Sequence, residues 1–138
     1  MAKKTSTRKK LSRRELRDLD VEIGFLEGVV RRDPRYVDAL QILGDDYTRR
    51  GQYVKGLEVD RKLVELRPTD SMVHYNLACS YALIDRIELA AEALEQALLF
   101  GYRDFKWLAQ DPDLANLRQH PIYRKIRAKL RIMSIKIS

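Results

Sequence analysis

When this chain is shifted by 34 residues, it overlays on itself. Val37-Asp38-Ala39-Leu40 then meets Ser71-Met72-Val73-His74, Leu43-Gly44 meets Leu77-Ala78, and Tyr47 meets Tyr81. Further along, Tyr53 meets Ile87, Gly56 meets Ala90, and Leu63-Val64 meets Ala97-Leu98. A backward shift carries Pro68 onto Pro34, Leu63-Val64 onto Val29-Val30, and Leu57 onto Ile23. Between residues 14 and 100 the apolar positions recur every three or four residues, and alternation with period two never persists. A 34-residue unit made of two helices cannot bury its apolar stripe alone, so successive units must stack. The expected fold is therefore all-α, an α-α superhelix in which antiparallel helix pairs form a solenoid.

Breaks fall at Asp33-Pro34, Arg50-Gly51, Arg67-Pro68, Asp85-Arg86 and Gly101. They predict helices over 14–32, 37–50, 54–67, 71–84 and 88–100, each joined to the next by a connection too short for anything but antiparallel packing. Asp70 and Ser71 are N-cap candidates for the fourth of these. Beyond Gly101 the pattern degrades. Pro112 stops a helix that contains Trp107 and Leu108, and Pro121 opens a last basic helix over 121–131 with Ile122, Ile126 and Leu130 on one side. Trp107 is expected to anchor the core there.

Residues 37–70 resemble a tetratricopeptide repeat, with Leu40, Leu43, Gly44, Tyr47, Gly56 and Pro68 at the signature positions. Gly44, Ala78, Gly56 and Ala90 are small where helices cross closely, and a larger side chain would overpack the crossing. Tyr47 and Tyr81 wedge between repeats, and Pro68 ends a helix. Some positions depart from the pattern: His74 stands where a large aromatic or Leu is usual, Tyr102 replaces the closing Pro, and Asp60 is polar where the next unit has Leu94. The polar, basic composition of the start, nearly free of apolar residues, predicts a disordered arm at 1–13; the resemblance implies one domain over 14–131, followed by a tail at 132–138. Within the domain it implies a half repeat at 14–36, repeats at 37–70 and 71–104, and a degenerate capping unit at 105–131 like that closing many bacterial tetratricopeptide proteins. A right-handed superhelical turn is implied as well.

Charge divides the chain in three. Residues 1–17 carry +7, residues 18–117 carry −7, and residues 118–138 carry +7, giving a net charge of +7. No apolar run approaches the ~18 residues that span a bilayer. The basic MAKKTSTRKK start has no apolar segment behind it, so no secretion signal is read. One cysteine, Cys79, suits a reducing, cytoplasmic compartment. The first reading of the basic arm is a solvated segment that aids solubility; the sharper reading is contact with nucleic acid, an acidic protein or an anionic surface.

Chemistry is nearly absent from the pattern. There is no glycine-rich phosphate loop, and His74, His120 and Cys79 have no metal-ligand spacing. Asp45-Asp46 sits inside a helix and Asp111-x-Asp113 reads as a cap. No catalytic, cofactor or metal site is expected. By the resemblance, the concave face is lined by Asp38, Gln41, Asp45, Arg49, Met72, Tyr75, Asn76, Cys79 and Leu83. Repeat domains that hold chaperone carboxylates use Lys and Asn at such positions, and only Asn76 agrees, which disfavours that ligand. The expected function is a non-enzymatic interaction scaffold whose groove binds another protein, through a basic-hydrophobic peptide or an amphipathic helix. The alternative is a nucleic-acid- or ribosome-associated protein acting through its basic termini, although Tyr123 is the one aromatic among those cations. Self-association is a third reading.

Overall fold

A computed structural model describes residues 10–137, with side chains as far as Ile135. The expected arm therefore lies mostly outside the described residues, and Arg13 already opens the first helix. Among the described residues there are eight α-helices, one 3-10 turn and no strand. They are α1 (Arg13–Arg32), α2 (Val37–Arg50), α3 (Tyr53–Leu66), α4 (Ser71–Leu83), α5 (Ile87–Leu99), α6 (Phe105–Leu108), the 3-10 turn Pro112–Leu114, α7 (Ala115–Gln119) and α8 (Tyr123–Ile137). None of the helices is long and apolar enough to cross a membrane.

The 34-residue period is written in the backbone hydrogen bonds. Gln52 N–H donates to Tyr47 O at 2.8 Å and Arg86 N–H donates to Tyr81 O at 2.9 Å. Gly51 N–H reaches Thr48 O and Asp85 N–H reaches Ala82 O, both at 3.0 Å. Tyr36 and Asp70 likewise reach the carbonyls of Asp33 and Arg67, both at 3.2 Å. The turn between the helices of a pair needs a left-handed residue, and Gly51 supplies it at φ +86°. Asp85 takes the same place at φ +60°, a conformation that Asp tolerates better than most residues.

Caps explain the clearest helix starts. Ser12 and Glu15 form a reciprocal capping box on α1, with Glu15 N–H to Ser12 Oγ at 3.1 Å and Ser12 N–H to Glu15 Oε1 at 2.9 Å. Asp70 is the cap of α4, accepting from Met72 N–H at 2.9 Å and Val73 N–H at 3.3 Å, so Ser71 is already helical. Close crossing of α2 and α3 is real. A Cβ on Gly44 would stand 3.2 Å from Val59 Cγ1, and one on Gly56 would stand 3.1 Å from Thr48 Oγ1.

Burial is uneven along the solenoid. One small cluster joins α1 to α2 through Leu19, Ile23, Leu26, Ala39, Leu43 and Tyr47. Leu40, Leu63 and Val73 form a second between α2, α3 and α4. The third is much larger and runs from Tyr75 through α5 to Ile126. Helix α4 is apolar nearly all round and buried on most sides, as a central helix must be. His74 packs as expected, its Nε2–H 2.7 Å from Pro68 O and its ring stacked on Phe100.

Two expectations fail in the closing unit. Trp107 is 44% exposed, and the buried residue of that turn is its neighbour Leu108. A four-residue helix presents a single buried face, and Leu108 occupies it. The stretch 132–138, read as a tail, is helical as far as Ile137, because α8 continues its Ile126, Leu130, Met133 seam against the core.

Candidate functional site

Helices α2 and α4 lie side by side and their exposed faces line a cleft of about 340 Å³. From α2 come Gln41, Asp45, Thr48 and Arg49; from α4 come Met72, Tyr75, Asn76, Cys79 and Leu83. The opposite wall is supplied by the closing unit, through Tyr102, Asp104, Trp107, Asp111 and Asp113. Eight of the nine residues expected on the concave face thus meet around one space. Asp38, one turn nearer the start of α2, is exposed and stands outside it.

The eight do not play equal parts. Tyr75, Cys79 and Leu83 are buried and form the floor, while Gln41, Asp45, Arg49, Met72 and Asn76 are exposed or half-buried on the rim. Tyr75 is fixed rather than free. Its hydroxyl donates to Asp111 Oδ2 at 2.7 Å, and its ring stacks on Tyr102 at 4.2 Å and 10°. Burial raises the Tyr75 hydroxyl well above its ordinary range, so it remains a donor. The other Asp111 oxygen accepts Asp113 N–H at 3.0 Å, which is the cap read from the Asp-x-Asp pattern. Asn116 Nδ2 donates to Ala82 O at 2.7 Å and to Asp85 Oδ1 at 2.5 Å, tying α7 to the left-handed turn of the second pair.

The cleft is acidic. Asp45, Asp60, Asp104, Asp111 and Asp113 line it, against one cation, Arg49. Asp60 is buried behind α4, where it accepts a hydrogen bond from the Ser80 hydroxyl. Burial is the largest cause that pushes its carboxyl up to about 6, against the lowering effect of that hydrogen bond. The residues missed from sequence are those of the far wall and Asp60. Asp60 had a signal, being polar where its partner position holds Leu94. The far wall had none, because its contacts join residues more than thirty positions apart.

Cys79 Sγ, Asp111 and Asp113 place three ligand-type atoms within 4.8 Å of one another. The thiol donates to Asp111 Oδ2 at 3.7 Å, and burial raises it well above its ordinary range. A protonated thiol and a carboxylate already engaged at both oxygens make a poor ligand set and a poor nucleophile. The basic C-terminal helix offers no stacking platform either. Tyr123 is buried beneath Arg127, whose guanidinium lies 5.1 Å from the ring centroid.

With this geometry in view, comparison with known proteins is informative about fold. No family model matches the chain. Over 79 residues (55% of the chain) it is 37% identical to a chloroplastic protein of Arabidopsis thaliana. The match spans 24% of that protein's length. The crystal structure of MamA superposes with a TM-score of 0.62 at 23% identity, covering 86% of this chain and 67% of that one. The fold is a tetratricopeptide-like solenoid.

Proposed function

We propose that the cleft between α2, α4 and the closing unit captures a cationic segment of another protein that carries an apolar side chain, with no reaction catalysed. One observation carries this reading: five aspartates and one arginine line the cleft, while the apolar Met72 and Trp107 stand half-exposed at its edge. A cation in the cleft gains from the excess of aspartates over the single arginine, and a flexible Met beside a large ring accommodates apolar groups of varied shape. The solenoid fold, which presents a concave face between neighbouring helices, supports the same reading. The compartment in which this occurs is proposed as the cytoplasm, on the lone buried thiol.

The chain holds a single tryptophan, so its fluorescence reports on the cleft rim directly. Titration with a Lys/Leu-rich decapeptide is expected to shift the Trp107 emission, with affinity falling as salt rises. A Glu/Leu-rich peptide of equal length should leave it unchanged. Asp45→Lys should weaken the cationic peptide at least tenfold while leaving the melting temperature within a degree or two, since the residue is exposed. Equal response to both peptides, or none to either, overturns the reading.

A further inference from the structure

The cleft presents exposed acids on both of its walls, Asp45 on α2 and Asp104 at the start of α6, with Asp113 half-buried near the second. Directly before α1 the chain reads Lys3-Lys4-Thr5-Ser6-Thr7-Arg8-Lys9-Lys10, five cations with no acid and no apolar side chain. Lys10 is the first of the described residues, and it is exposed. The acids nearer to this stretch are already answered. Glu15 closes the capping box with Ser12, and Asp20 lies 2.7 Å from Arg50. Asp18 and Glu22 stand on a helix that also carries Arg13, Arg14 and Arg17. The cleft, with one arginine against its aspartates, is the better match for added positive charge.

The segment is long enough to reach it. The Asp20–Arg50 pair sets the first half of α1 beside the last turn of α2, next to Thr48 and Arg49 of the cleft. Leu11 packs on the cluster that joins the same two helices, so the chain enters α1 from beside α2. From Asp20 back to Arg13 the helix extends roughly 10 Å, and passing round α2 adds about one helix width, again roughly 10 Å. Eight extended residues span about 26 Å, which brings Lys3 and Lys4 to the mouth of the cleft.

We propose that the basic segment before α1 folds back and seats Lys3 and Lys4 in the acidic cleft, holding it against ligands that offer charge alone. This rests on the reading of the cleft as a capture site and names what selects its occupant. A tethered cation competes at an effective concentration of about millimolar. The segment brings no apolar group to Met72 or Trp107, so a partner carrying one makes contacts that the segment cannot replace.

Trp107 reads the occupancy directly. A nitroxide on Thr5→Cys, in a full chain carrying Cys79→Ala (or Cys79→Ser as a second background), should quench Trp107 at low salt and lose that quenching at high salt. With Lys3→Gln, Lys4→Gln and Arg8→Gln added, the same label should quench at most about half as well. In the unlabelled full chain these three changes should tighten a Lys/Ser-rich decapeptide about tenfold and a Lys/Leu-rich one less. Arg124→Gln, Lys125→Gln and Arg131→Gln remove as much charge from the exposed side of α8 and should change either affinity by under about twofold. Equal quenching by the basic and the neutral segment overturns the proposal, as does an equal gain in affinity from the two triple variants. Should neither peptide bind any form, the capture reading fails, while the quenching still decides whether the segment occupies the cleft.

Discussion

In the N-terminal half, Asp46 is buried with one carboxylate oxygen lacking an ordinary hydrogen bond, and it sits beside Glu22. In the C-terminal half, Asp111 is as deeply buried, yet each of its oxygens accepts at least one hydrogen bond. The surroundings differ in the same sense. Two small clusters serve α1 to α3, while one continuous cluster extends from α4 to α8. A buried polar group costs free energy unless it is hydrogen-bonded, and a small core has less apolar burial to offset that cost. The first half of the solenoid is therefore the weaker half, and its weakness is electrostatic as well as apolar.

The largest effect that can break this comparison comes from the continuous core. Leu94→Ala, at a position with no exposure, should cost about 3–4 kcal/mol, whereas Leu26→Ala at the edge of the small cluster should cost about 2 kcal/mol. Equal costs in denaturant melts would mean that the two halves are packed alike. Next in size is Asp111→Ala, which strands the Tyr75 hydroxyl and the Asp113 N–H and should cost about 2–3 kcal/mol. Its melt should fall, and the shifted emission of Trp107 should show that the far wall of the cleft has moved. Gly44→Leu and Ala78→Leu should each cost about 1–3 kcal/mol by overpacking the two equivalent crossings. A thermal melt matching the parent for both would mean that the crossings are looser than the 3.2 Å approach at Gly44 indicates.

The smallest effect has the opposite sign. Asp46 is pushed up to about 7, mainly by burial and then by Glu22, and Asp60 to about 6. The unfolded carboxyls ionise near 3.8, so between about pH 4 and 7 the folded chain holds protons that the unfolded chain has shed. The stability contributed by the neutral carboxyls is present below pH 4 and is lost as pH rises through the folded values. Asp46→Asn and Asp60→Asn should each stabilise the chain by about 1–2 kcal/mol at pH 8 and flatten its stability profile between pH 4 and 7. Arg49, whose guanidinium lies 3.8 Å from Asp46 Oδ1, acts in the opposite sense, and a destabilised Asp46→Asn at pH 8 would show that this cation outweighs the cost of burial.

Much of the fold was legible because the period of 34 repeats both packing and turns. Every helix from α1 to α5 begins and ends within one residue of the span read from apolar spacing and breaks. Asp85 shows why that reading worked where residue identity did not repeat. It is no glycine, yet it answers Gly51 in phase and adopts the same left-handed turn. The α2 and α4 sides of the cleft followed from the same register. The far wall did not, since Tyr75 and Asp111 are 36 residues apart and meet only because the closing unit folds back over α4. Trp107 was misplaced for a related reason. Residue size argues for burial, but a one-turn helix has room for one buried residue, and its direction is set by Leu108.

The single thiol of the chain lies under that closing unit, held towards Asp111 and kept protonated by burial. The thiol also lines the floor of the cleft, where it is 8% exposed. A small alkylating reagent therefore reaches Cys79 through the cleft mouth, and its labelling rate is low because the thiol is held protonated. Any occupant seated between the two walls closes that route. The fall in labelling rate on adding an occupant then measures the fraction of clefts filled, whatever that occupant is.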